Sequence, residues 1–207
     1  MMQKVLPLVL LFSVLLLGMS FTQSSSAAIH PFELEWGISG TIDPGNFLYP
    51  QHVAVDSENN IYVTDLGNSR VQKFDDQGNF IGAWGANGRD AGQFGYPSGI
   101  AIADDHVFVV DKKLHKVQKF DTAGNFVTQW GDIGNGNGEF RSPNGITISE
   151  DKFVHVVDTG NNRIQTFTFD GEYVSQFGQS GKRAGNFVSP IDVAVDETGK
   201  FFVTDPG

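Results

Sequence analysis

No cysteine occurs among the 207 residues. That absence removes disulfide scaffolds, thiolate metal centres, iron–sulfur clusters and cysteine nucleophiles together. Charge is sparse and lopsided: 18% of residues are charged, with 24 Asp and Glu against 14 Lys and Arg, for a net charge of −10. A field of that sign repels phosphate backbones, so a nucleic-acid partner is not expected. Beyond the N-terminus no long apolar stripe recurs at helical spacing. H-E-x-x-H, phosphate-cradling glycine loops and nucleophile motifs are also missing. What is plentiful is glycine, with 25, and Phe, with 18. That is the composition of a packed, turn-rich chain, and its length is enough for one sizeable core.

The N-terminus reads as a separate object. "MMQK" carries one positive charge, Lys4. An apolar stretch, "VLPLVLLFSVLLLGM", runs from Val5 to Met19, and "SFTQSSSAA" follows. This is the order of a secretory signal peptide over residues 1–28, with cleavage after Ala27 or Ala28. The apolar run is short for a membrane span and contains Pro7. The expectation is therefore a secreted or extracytoplasmic protein, membrane-anchored only if the signal stays uncleaved. No cysteine follows to carry a lipid. Losing Lys4 leaves 13 Lys and Arg against 24 Asp and Glu, a net charge of −11.

The remainder repeats itself. "GNFLYPQHVAVD" (45–56), "GQFGYPSGIAIA" (92–103), "GEFRSPNGITIS" (138–149) and "GNFVSPIDVAVD" (185–196) align without gaps. Phe47, Phe94, Phe140 and Phe187 set a period of 46 or 47 residues, and Pro50, Pro97, Pro143 and Pro190 follow it. Each unit offers four short strands, as in "HVAV", "IYVTD", "RVQKFD" and "FIGAWG", separated by Asp, Asn and Gly turns. Val71 and Phe74 of the third strand fall on opposite faces, so that strand rests on β-propensity and position rather than on alternation. Four strands at this period predict an all-β chain of β-propeller blades. A single blade leaves both faces of its sheet bare, and packing neighbours around an axis covers them. The repeated Phe residues are expected to plug the gaps between neighbours.

"YVTDLGNSRVQKFDDQGNF" and "VVDTGNNRIQTF" resemble the NHL repeat, with its Asp, Gly-Asn, Arg and hydrophobic–Gln–x–Phe pattern. The resemblance covers residues 32–207 and implies a propeller, often of six blades. The domain over 29–207 then divides into blades at 45–85, 92–131 and 138–178 and a partial one at 185–207. The second unit departs most: Lys112, Lys113, Leu114 and His115 replace the Gly-Asn turn, Lys116 replaces the arginine, and a loop of different shape is expected. Residues 32–37, "FELEWG", match only a fourth strand, which suggests the outer strand of a closing blade. Three complete blades and one partial blade fall short of a closed ring. Either the sequence is a C-terminally truncated fragment, which is the expected reading, or chains assemble to finish the ring.

Asp65, Asp111 and Asp158 each stand five residues before Arg70, Lys116 or Arg163, and Asp205 repeats the aspartate. A hairpin of that length brings acid and base together. A feature present in every blade serves every blade, so these read as structural ion pairs or turn caps rather than catalytic groups. Function sits more often where repeats differ, at the channel mouth. There Gln51, His52, Ser98, Asn144 and Asp192 form the candidate ligand-binding rim, with Ile191 and two glycines between them. His155 replaces Tyr62, Phe108 and Phe202 and reads as a packed strand residue. A catalytic zinc needs about three converging protein ligands, and His52 is the one histidine placed toward the channel.

The NHL resemblance also implies a test, because NHL-like propellers include peptidyl-hydroxyglycine amide lyases whose zinc histidines directly follow the blade proline. Here those positions hold Gln51, Ser98, Asn144 and Ile191. A lactonase-like calcium site would use Asp192 and Asn144, with no acid from the other two blades. No cofactor is therefore expected. The sequence points to an exported NHL propeller that binds a protein, peptide or glycan, and leans away from an enzyme. The alternative is a metal-dependent lyase or hydrolase, using zinc or calcium, with part of its site in missing blades.

Overall fold

A computed structural model describes residues 37–40 and 42–207. The signal-like residues 1–28 and the fourth-strand match at 32–36 lie outside the described residues. Among those described, every regular element other than two single 3-10 turns is a strand. A short parallel pair opens the fold, β1 (Ile38–Ser39) with β2 (Asn46–Phe47). The first unit holds β3 (Pro50–Val55), β4 (Ile61–Asp65), β5 (Arg70–Phe74) and β6 (Phe80–Trp84). The second holds β7 (Pro97–Ala103), β8 (His106–Asp111), β9 (Lys116–Asp121) and β10 (Phe126–Trp130). The third holds β11 (Ile146–Ile148), β12 (Val154–Asp158), β13 (Arg163–Phe167) and β14 (Tyr173–Phe177). The fourth holds β15 (Asp192–Val195) and β16 (Phe201–Thr204). Within each of these four units the strands form an antiparallel meander in sequence order, as short turns between strands require.

The core lies between the units. On β8, Val107 and Val109 join Tyr62, Val71 and Trp84 of the first unit, while Phe108 and Val110 join Ile146, Val154 and Val156 of the third. A strand buried on both faces has no polar side to show, which is why "VFVV" is a continuous apolar run. The same reason removes clean alternation from the third strand: Arg70, Val71, Gln72 and Phe74 are all buried. Trp84 leaves its own sheet to pack on Phe120 of the second unit (5.8 Å), and Trp130 packs likewise on Phe167 of the third (5.8 Å). Phe94 and Phe140 are fully buried at these junctions.

One junction recurs four times. Asn87 bridges Phe94, Ile133 bridges Phe140 and Ser180 bridges Phe187, each in parallel. In every case the first partner lies two residues beyond a left-handed glycine, Gly85, Gly131 or Gly178, that follows a fourth strand. Ser39, two residues after Gly37, bridges Phe47 in the same way. The second unit's Lys-Lys-Leu-His loop differs less than its sequence suggests. His115 (φ 56) is left-handed where Ser69 (φ 53) and Asn162 (φ 55) are, although the 3-10 turns Leu66–Asn68 and Thr159–Asn161 have no counterpart there.

Candidate functional site

Asp65, Asp111 and Asp158 are buried and fully engaged, while Asp205 is half-buried and accepts from the Val188 and Ser189 amides. Asp65 Oδ1 accepts from the Leu48 amide (2.8 Å), and Oδ2 accepts from Asn68 (2.9 Å), Arg70 Nε (2.9 Å) and Gln72 (3.1 Å). Asp158 repeats this with the Arg141 amide (2.7 Å), Asn161 (2.8 Å), Arg163 Nε (2.8 Å) and Gln165 (3.1 Å). The arginines extend the clamp. Arg70 donates to the carbonyls of Ile42, Asp43 and Asn46, and Arg163 to those of Gly136 and Glu139. These groups tie each unit's entry segment to its second and third strands, and none opens to a ligand.

The second unit corrects the expected acid–base pair. Asp111 and Lys116 face each other in register, yet they form no ion pair among the described residues. Asp111 is filled instead by the amides of Gly95, Tyr96, Lys113 and Leu114. Lysine carries one compact ammonium and lacks the fork that reaches aspartate and carbonyls at once.

The first strands of successive units lie against one another. The Gly99 amide donates to the Asn144 carbonyl (3.0 Å) and the Gly145 amide to the Ile191 carbonyl (2.9 Å). A Cβ on Gly145 would collide with the Asp192 carboxylate, so this approach requires glycine. Along this line the units curve until the first and the fourth meet. His52 Nε2 stands 3.6 Å from Asp192 Oδ2. Pro50, Gln51, His52, Val53, Val63 and Asp192 border an open hollow of about 500 Å³.

The rim residues divide. His52 is half-buried, with its amide on Thr64 Oγ1 (3.0 Å) and its Nδ1 buried without a partner. Asp192 is half-exposed; burial raises its pKa, but the His52 ring and the Val193 amide outweigh this and hold it below the usual 3.8. Gln51 is exposed and turns its amide to the carbonyls of Tyr49 and Pro50. Ser98 is 1% exposed, with its hydroxyl within reach of the Val110 and Asn144 carbonyls (3.3 and 3.2 Å). Asn144 is half-buried and sits between its neighbours through its main chain. The structure thus brings Gln51, His52 and Asp192 to one hollow and puts Ser98 inside a wall.

A family model for the NHL repeat matches residues 47–74, and one described as a 6-bladed beta-propeller matches residues 87–167. The chain carries an NHL repeat and is built of β-propeller blades. Protein brain tumor of Drosophila melanogaster is 35% identical over 71 residues, covering 34% of this chain and 7% of that protein. Human NHL repeat-containing protein 3 is 43% identical over 56 residues, 26% of this chain and 16% of that protein. Among solved structures, virginiamycin B lyase from Staphylococcus aureus superposes with a TM-score of 0.58 at 19% identity, covering 75% of this chain and 48% of that one. The chain therefore spans less than half the length of each of these proteins, and the structural likeness speaks for the fold alone.

In these blades a zinc at the proline-following positions finds no fit, because Gln51 and Asn144 are amides, Ser98 is walled in and Ile191 is apolar. A calcium fit fails equally, with Asp192 as the one carboxylate at the hollow. Among the described residues no three His, Cys, Asp or Glu side chains gather, and no described helix is long and apolar enough to cross a membrane. Sequence reasoning missed the role of the propeller's repeated glutamines. Gln72, Gln118 and Gln165 are fully buried, and each accepts from a glycine amide, Gly45, Gly92 or Gly138, and donates to the carbonyl of Asn46, Gln93 or Glu139. The hydrophobic–Gln–x–Phe pattern was the signal for them. His155 is the packed residue its position indicated, bonded to Thr166 and Ser149 and edge-on to Phe201 (4.7 Å).

Proposed function

We propose that this chain is an exported NHL propeller that binds a protein, peptide or glycan at the channel mouth, with Gln51, His52 and Asp192 as the polar contacts. The observation that carries the reading is the approach of His52 and Asp192 from two separate blades onto one open hollow. A carboxylate held in its charged form beside an imidazole and an exposed side-chain amide offers both acceptors and donors. The exposed Val53 (62%) adds an apolar floor. Sites of this mixed kind orient a ligand through a few polar groups set in apolar walls. Export rests on the signal-like residues 1–28. The excess of acidic residues disfavours nucleic acid.

A second reading has one specific support. His52 and Asp192 are an imidazole and a carboxylate in one hollow, the minimum for proton transfer, and virginiamycin B lyase shares the fold. Under it the chain contributes part of a lyase or hydrolase.

The test is a peptide and glycan array probed with the full chain, followed by calorimetric titration of the tightest ligand. Asp192→Asn should weaken that ligand at least roughly tenfold, the value of one lost charge-assisted hydrogen bond, and Gln51→Ala roughly two- to tenfold, the value of a neutral one, both at unchanged thermal stability. Equal binding by both variants would move the site off the channel mouth. Turnover of the ligand that disappears in His52→Ala would hand the site to the lyase or hydrolase reading.

A further inference from the structure

The second unit lacks the clamp its neighbours share, and something is left open in its place. Arg70 and Arg163 fill this position with a guanidinium; Arg163 reaches Gln176, Gly136 and Glu139 from it. Lys116, 6% exposed, puts only Nζ there, on the Gln129 Oε1 (2.8 Å) and at longer range the Arg89 carbonyl (3.4 Å). Both partners are neutral. A hollow of about 430 Å³ remains, lined by Arg89, Leu114, Lys116, Gln129, Trp130 and Asp132.

A buried amine without a counter-ion favours its neutral form. Burial lowers the Lys116 pKa, and the negative charges of Asp111 and Asp90 oppose this without reversing it. Arg89 and Asp132 in the wall carry opposite charges. A lowered pKa enlarges the share of amine that carries a free lone pair, the property that makes desolvated lysines nucleophilic.

We propose that Lys116 is a covalent capture site for small aldehydes and ketones that enter the hollow beside Trp130. Nζ attacks the carbonyl carbon and a C–N bond forms. Both amine protons then leave with the carbonyl oxygen as water, giving an imine. No oxidant, reductant or metal is needed. Gln129, by accepting from Nζ, fixes the amine's direction. The site is distinct from the channel mouth and stands whether or not that mouth binds a ligand.

The experiment treats the full chain with propanal and cyanoborohydride at neutral pH for short times and maps the alkylated lysines by mass spectrometry. Lys116 should react at least tenfold faster than the exposed Lys182 and Lys200, with its rate rising at lower pH than theirs. Lys116→Arg, which restores the neighbours' guanidinium, should lose the fast label and leave the slow ones. Labelling of Lys116 at or below the rate of Lys182 and Lys200, or only after unfolding in urea, would overturn the proposal.

Discussion

Asp158→Ala tests whether the clamp holds a blade together. The carboxylate is 0% exposed and Arg163 is 6% exposed, so water is poorly placed to replace what the mutation removes. Breaking a buried pair by deleting one partner costs about 3–5 kcal/mol, because an uncompensated charge stays behind. The Arg141 amide, Asn161 and Gln165 also lose an acceptor, each worth about 0.5–1.5 kcal/mol. Some donors reach new partners on relaxation, so we expect a loss of at least about 4 kcal/mol, a large share of the ~5–15 kcal/mol of a typical domain. Urea unfolding followed by tryptophan fluorescence reads it. Adding Arg163→Met removes the stranded charge, so the double variant should cost about 2–3 kcal/mol less than the sum of the singles. The second unit is the internal control. Asp111 has amide donors and feels Lys116 only at longer range, so Asp111→Ala and Lys116→Met should couple clearly less than the Asp158 and Arg163 variants. A loss below about 1.5 kcal/mol for Asp158→Ala would refute the reasoning, as would equal coupling in the two units.

Two further outcomes are expected. Gly124 has φ +88, and a Cβ there would lie 2.7 Å from the Trp84 ring. Gly124→Ala should therefore cost about 2–4 kcal/mol through left-handed strain and overpacking, seen as a lowered Tm with a shifted Trp emission. His155 titrates below its usual 6.5 because it is buried, against a smaller opposing pull from Asp151. The unfolded chain then binds the proton more readily, so this contribution is complete above pH 6.5 and is lost as pH falls toward the depressed value. His155→Phe, copying Phe108 of the second unit, should flatten the stability profile below that pH in parallel melts; an unchanged slope would remove His155 as its source.

The strands and their period were legible because turn chemistry and β-branched runs act locally. "IYVTD" spans β4 residue for residue, and "FIGAWG" overruns β6 by its final glycine alone. The Asp65–Arg70 and Asp158–Arg163 pairs were legible because a short hairpin fixes both ends. Lys116 was not: the spacing is the same, and only side-chain shape decides whether the cation reaches the aspartate. The His52–Asp192 approach lay beyond the sequence because it depends on curvature accumulated across units 140 residues apart. Ser98 looked like a rim residue by register, and its burial comes from the next unit's main chain pressing against it.

Because the core lies between units, the repeats are not free to drift independently. A tryptophan on one unit, Trp84 or Trp130, needs a side-chain-free residue about forty positions later, Gly124 or Gly171, where a Cβ would strike its ring. The third unit carries Phe177 at that place, packed on Phe201 (5.0 Å). A substitution in one copy thus sets what its neighbour can tolerate, and divergence must travel along the chain in compensated pairs. Kinship among these repeats is held in place by contact as well as by descent.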